Sequence, residues 1–183
     1  TLSNMLNYLK IKHVISNNSE DINNSSHYIL PGVGSFKNVM ENLSKKISIK
    51  NLEKNVFKKQ KPILGICVGM QIFAKFGYED EKTKGLNWID GEVKKLNNKI
   101  LPHMGWNNVK LKFNNKFFQS ENDEFYFVHS YHFLPKKKKN LLGITNYGVE
   151  FCSSIIQENI IGVQFHPEKS QTAGLNLIKN FCK

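Results

Sequence analysis

The sequence predicts an α/β sandwich around a mostly parallel sheet, and three observations carry that prediction. Short apolar strands alternate with helical segments through the first half. One of them, Pro62-Ile63-Leu64-Gly65-Ile66, is apolar at every position, the pattern of a strand buried on both faces of a parallel sheet. The second half then sets several strand candidates close together, with turn residues between them.

Taken in order, Leu2, Met5, Leu6 and Leu9 fall at helical spacing and open the chain on an amphipathic helix. A short strand is expected at His13-Val14-Ile15, followed by a polar Ser/Asn stretch. Tyr28-Ile29-Leu30 reads as a strand that ends in the turn Pro31-Gly32-Val33-Gly34. Helical material follows from about Phe36 and again over 52–57, and residues 68–76 read as a helix after the apolar strand. Residues 125–128, 141–145, 151–156 and 160–165 are the clustered strands. A helix over 174–182 closes the chain, with Leu175, Ile178 and Phe181 on one side. Neither a linker nor an internal repeat divides residues 1–183, so a single domain is expected, long enough to bury a core.

Composition removes several classes of function. The net charge of +11 suggests nucleic acid or a membrane surface, but all 26 basic residues are Lys and none is Arg. Arg is the side chain that reads guanine edges and clamps phosphates bidentately, so nucleic-acid binding is not expected. The dense run Lys136 to Lys139 follows Pro135 and reads as a solvated loop. No apolar run approaches the roughly 20 residues of a membrane span. Thr1-Leu2-Ser3-Asn4 has no charged region leading into an apolar core, so a cytoplasmic location is the expectation. The three cysteines, Cys67, Cys152 and Cys182, have neither CxxC nor metal-finger spacing. His103, His129 and His132 also lack ligand spacing and read as structural or interface residues, so neither metal nor cofactor is expected.

Two segments carry chemistry. In Gly65-Ile66-Cys67-Val68-Gly69, small residues flank a Cys between a strand and a helix, the nucleophile-elbow pattern with Cys in place of Ser. Such a turn needs glycine on both sides and lifts the side chain clear of the sheet. The following helix turns its positive end toward the sulfur, and the Val68 N–H can face an oxyanion. Taken alone, this segment fits a buried turn with an inert Cys equally well. The second segment is Gln164-Phe165-His166-Pro167-Glu168, where a His at the end of an apolar strand has a carboxylate two residues on. That arrangement suits a base and the group that orients it. A lone His there would read as a solvent-exposed strand end; beside the elbow it reads as a partner for Cys67.

Cys67 in its elbow together with His166-Pro-Glu168 resembles the class I (triad) glutamine amidotransferases. Pro31-Gly32-Val33-Gly34, Pro102-His103-Met104-Gly105-Trp106-Asn107, Val128-His129-Ser130-Tyr131 and His166-Pro-Glu-Lys-Ser170 narrow the resemblance to one branch, the glutaminases that serve imidazole glycerol phosphate synthases. The resemblance covers nearly the whole chain and implies a three-layer, flavodoxin-like sandwich. It implies Cys67 as nucleophile, His166 as general base and acid, and Glu168 as its partner. Val33, Gly34 and Val68 would form the oxyanion hole, and Gln71, Glu79, Ser130 and Tyr131 would hold L-glutamine. Trp106, Asn107 and Lys169 would face a (β/α)8-barrel synthase subunit in a heterodimer, which receives the ammonia for histidine biosynthesis. The chain departs from the pattern at its start: the family has a strand and an Asp-Tyr-Gly turn before the first helix, so the first strand is expected to be missing. Two alternatives remain: a paralogue that supplies ammonia for surface-polysaccharide sugars, and a non-catalytic binding subunit of the same fold.

Overall fold

The computed structural model describes residues 1–118, 120 and 122–183. Helix α1 (Leu2–Tyr8) opens the chain, with the Thr1 side chain accepting from the Asn4 N–H. Asn18 caps α2 (Ser19–Asn24) in the same way by accepting from Asp21. Strand β1 (Tyr28–Gly32) leads to α3 (Phe36–Lys46), α4 (Ile49–Glu53) and a π-helical turn at Lys54–Lys58. Every residue of β2 (Ile63–Cys67) is buried, as its all-apolar sequence requires.

The expected strand at His13-Val14-Ile15 does not form. Ile15 is 85% exposed, and no strand pairs with this segment among the described residues. A β-favouring triplet holds a strand conformation only where a ladder accepts it. The helix expected over 68–76 stops early: α5 is Val68–Gln71, and Phe76 already begins β3 (Phe76–Tyr78). The carbonyls of Ile72, Phe73 and Ala74 accept from Leu86, Trp88 and Asn87, so no further helical turn can use them.

Beyond β3 the chain is almost entirely strand. It runs through β4 (Lys82–Lys84), β5 (Gly91–Lys95), β6 (His103–Leu111), β7 (Asn122–His129) and β8 (Tyr131–Pro135). It continues through β9 (Leu141–Tyr147), β10 (Val149–Gln157) and β11 (Ile160–Val163), then closes on α6 (Gln171–Phe181). The main sheet runs β1-β2-β11-β10-β8-β5-β3-β4, and β9, β6 and β7 extend from β10. The α/β class is as expected, but the sheet is mixed rather than mostly parallel, because the close-set strands of the second half are joined by short connections that permit only antiparallel pairing. Its parallel pairings are β1–β2, β2–β11 and β3–β5; the rest are antiparallel. The three-strand parallel block is where helix α5 packs, with β2 at the centre, flanked by β1 and β11. Among the described residues β1 pairs with β2 alone.

The core is rich in phenylalanine. Phe125 and Phe165 stack at 3.9 Å between ring centroids, and Phe127 and Phe151 meet edge to face. This packing fixes the ends of β7 and β11, from which Val128 and His166 reach the site.

Candidate active site

Cys67 stands where β2 runs into α5, with backbone φ 55° and ψ −114°. Such a conformation costs on the order of 1–3 kcal/mol for a residue with a Cβ. The flanking glycines make it possible by close approach. A Cβ on Gly69 would lie 1.9 Å from the Leu30 carbonyl oxygen, and one on Gly65 would lie 2.5 Å from the Gly69 carbonyl oxygen. The elbow expected from the sequence is therefore present, and α5 is pressed against β1 as well as β2.

The ends of the parallel strands meet at a cleft of about 340 Å³. Ten of the thirteen predicted site residues line it: Cys67, His166, Val33, Gly34, Val68, Gln71, Glu79, Ser130, Tyr131 and Lys169. Glu168 sits behind His166, its Oε1 2.8 Å from Nδ1. A larger hollow of about 440 Å³ between Lys137 and Glu158 contains no thiol or histidine.

The charges around His166 are strongly coupled. Burial alone would depress its pKa, but hydrogen bonding and charge from Cys67 and Glu168 overcome this and raise it to about 9. Burial likewise works against ionisation of Glu168, but the His166 hydrogen bond, a backbone N–H and the charges of His166 and Lys169 together outweigh it, holding the carboxyl below its usual range. The His166 turn is clamped by Ser170, whose hydroxyl donates to the His166 carbonyl (2.6 Å) and accepts from the Tyr126 N–H (3.0 Å). The His166 N–H donates to the Tyr126 carbonyl at 2.9 Å.

Two buried amides, Gln71 and Gln164, connect the cleft wall to the sulfur. Gln71 Nε2 donates to the Tyr131 carbonyl and to Gln164 Oε1, both at 3.0 Å. With its oxygen so engaged, Gln164 turns its NH₂ toward Cys67 Sγ, at 3.6 Å. Neither Gln164 nor Ser170 was assigned a role from sequence. The available signal was a glutamine inside the apolar run 160–165, where a polar side chain needs a reason to be buried.

Glu79 Oε2 accepts from the Phe36 N–H at 2.7 Å, tying the first turn of α3 to the cleft rim, and the Tyr131 hydroxyl donates to the Glu79 carbonyl. Gly32 and Gly34 differ in kind. A Cβ on Gly32 would lie 2.2 Å from Gly69 N, whereas Gly34, at φ 96°, has nothing within 4 Å of that position. Trp106 and Asn107 lie outside the cleft on β6. Trp106, 43% exposed, meets Tyr126 edge to face, and Lys169 Nζ stands 5.7 Å from the centre of the same Tyr126 ring. Cys152 is buried and Cys182 half-buried, and burial raises the pKa of both thiols.

The family model for "Glutamine amidotransferase class-I" matches residues 2–183. The chain belongs to the class-I glutamine amidotransferases. Among the similar relatives of this amidotransferase is imidazole glycerol phosphate synthase subunit HisH 2 of Methanococcus maripaludis, 43% identical over 100% of this chain and 93% of that protein. The subunit HisH of Pelagibacter ubique is 41% identical over 94% of this chain and 86% of its own length. A crystal structure described as a glutamine amidotransferase superposes with a TM-score of 0.75 at 16% identity, covering 98% of this chain and 89% of that one, a likeness of fold alone. No described helix is long and apolar enough to cross a membrane.

Proposed function

We propose that this amidotransferase is the glutaminase subunit of an imidazole glycerol phosphate synthase, acting in the cytoplasm as one domain and passing ammonia to a cyclase subunit. The observation that carries the reading is the convergence of Cys67, His166 and the predicted glutamine-binding residues on one cleft. The relatives bearing the synthase-subunit name extend over nearly the whole chain.

The chemistry follows from the geometry. The Cys67 thiolate attacks the side-chain carbonyl carbon of glutamine, and the carbonyl oxygen becomes an oxyanion that takes hydrogen bonds from backbone N–H groups of the Val33–Gly34 loop and Val68. His166, protonated at neutral pH and oriented by Glu168, gives its proton to the departing nitrogen, so ammonia leaves and a glutamyl thioester remains. Neutral His166 then takes a proton from water. The resulting hydroxide adds to the thioester, and collapse expels the Cys67 thiolate and releases glutamate. Gln71, Glu79, Ser130 and Tyr131 hold the substrate. Trp106 and Lys169 face the partner, a barrel subunit in a heterodimer, whereas Asn107, on the opposite face of β6 from Trp106, turns to His103 and Asn146 and supports that surface from behind.

The test is Cys67→Ala in the complex. Glutamine-dependent synthesis is expected to disappear while synthesis from free ammonium persists, because the synthase site lies on the other chain. Loss of both activities would refute this division of labour, and full glutamine-dependent activity would refute the role of Cys67.

A further inference from the structure

We propose that His103 and His129 are positioning residues for the glutamine pocket: a one-directional hydrogen-bond relay, Asn107 to His103 to His129 to the Tyr131 carbonyl, fixes the 128–131 segment against Gln71 and Cys67. This inference rests on the glutaminase reading above and assigns a task to two histidines outside the triad.

The direction of the relay follows from its last acceptor. His129 Nδ1 lies 2.9 Å from the Tyr131 carbonyl oxygen, which can only accept, so that nitrogen carries a proton. A neutral His129 then has a lone pair on Nε2, which lies 3.0 Å from His103 Nδ1. His103 must therefore donate from Nδ1, which leaves Nε2 as its acceptor. Asn107 Nδ2 stands 3.3 Å from that atom and also donates to the Asn146 carbonyl at 2.9 Å. Every proton in this chain points from Asn107 toward Tyr131, and each neutral ring has both of its nitrogens satisfied. A second proton on His129 would set N–H against N–H inside a buried site. Burial depresses both rings, His103 to about 4 and His129 to about 3, in accord with that tautomer pattern.

The surrounding packing makes the relay stiff. His103 is sandwiched between Tyr147, at 4.1 Å, and Phe127, at 4.8 Å, and His129 packs on Phe151. The relay ends at a junction in the pocket wall. The Tyr131 carbonyl that receives the His129 proton also receives Gln71 Nε2, and Gln71 in turn fixes Gln164 at the sulfur. At the other end of the same segment, the Val128 carbonyl faces Cys67 Sγ at 3.9 Å. The relay therefore sets the place of backbone that lines the cleft on both sides of Ser130. None of its atoms touches the reacting bond, so its loss weakens glutamine binding in ground state and transition state alike.

The experiment compares His103→Leu with His103→Asn in the complex with the synthase partner. Leu keeps bulk and removes both hydrogen bonds, whereas Asn keeps an N–H donor close to the position of Nδ1. His103→Leu is expected to raise KM for glutamine about fivefold to tenfold with kcat nearly unchanged, and His103→Asn to recover most of the loss. Synthesis from ammonium reports that the complex is assembled. Correlation of ring protons with ring nitrogens by NMR at pH 5 should show both histidines neutral and protonated at Nδ1. An unchanged KM in His103→Leu, a loss as deep in His103→Asn, or a charged ring at pH 5 would overturn the relay beside an active wild type. A wild-type complex unable to hydrolyse glutamine would overturn the glutaminase reading itself, and with it the pocket the relay serves.

Discussion

Replacing Glu168 by Gln removes one charge and leaves a hydrogen-bond acceptor in nearly the same place. The carboxylate lies 2.8 Å from His166 Nδ1, with the two side chains only 18% and 8% exposed, so solvent screens the pair weakly. A hydrogen bond to a charged group in such a setting contributes about 1.5–3 kcal/mol, equivalent to about 1–2 pH units in the titration of its partner. His166 owes its value of about 9 to Cys67 and Glu168 together. Loss of the Glu168 charge should therefore bring it down to about 7–8. The imidazolium is the acid that releases ammonia, so the alkaline limb of kcat/KM for glutamine should fall near pH 9 in the wild type and about 1–2 units lower in Glu168→Gln. The variant should also be less damaged at pH 6 than His166→Ala, which has no proton to give. Stability follows the same signs. The His166 contribution is complete below 6.5 and lost as pH rises through about 9; that of Glu168 is present above 4.5 and lost as pH falls. The difference in Tm between wild type and Glu168→Gln should thus be widest between about pH 4.5 and 6.5. The assay is glutamate release by the complex across pH 5–10 (roughly the range over which these groups titrate). An alkaline limb that stays near pH 9 in the variant would refute the electrostatic role given to Glu168.

Two other perturbations test the elbow and its loop. Gly69→Ala places a methyl group 1.9 Å from the Leu30 carbonyl, so β1 or α5 must move; a stability loss of about 1–3 kcal/mol, or Tm lower by about 3–10 °C, is expected by calorimetry. An unchanged Tm would mean the two elements are not in contact as described. The isolated chain is expected to hydrolyse glutamine slowly and to speed up about 10²–10³-fold when the partner binds its own ligand, through reorientation of a peptide at Val33–Gly34. Equal rates for the chain alone, with partner, and with liganded partner would dismiss that gating.

The parts of the molecule legible in the sequence are those where one residue type has one physical reason. Gly65 and Gly69 around Cys67 are demanded by backbone contacts of 1.9–2.5 Å, and a sequence with glycine at both places states the elbow outright. Burial of β2 on both faces is likewise written in five consecutive apolar positions. Strand β6 is not legible as a strand because its apolar residues change face midway: Met104 and Trp106 point out, whereas Val109 is buried on the same side as His103, Gly105 and Asn107. Such a change of phase breaks a hydrophobic period of two. Over 103–107 the inward side of β6 is polar because it carries the histidine relay, and the outward side is apolar because, on the proposed reading, it meets a partner. Similarly, the short α5 could not be foreseen, because the carbonyls that would extend it are claimed by residues 86–88. Glycine content alone does not reveal which part of a loop can move. Pro31-Gly32-Val33-Gly34 offers two glycines, yet Gly32 is fixed by the Gly69 backbone and by its ladder with Cys67, so only Gly34 retains room to turn. Any reorientation of the oxyanion loop must therefore pivot beyond Gly32, which confines the movable donor to the peptides at Val33 and Gly34 and leaves the Cys67 elbow in place.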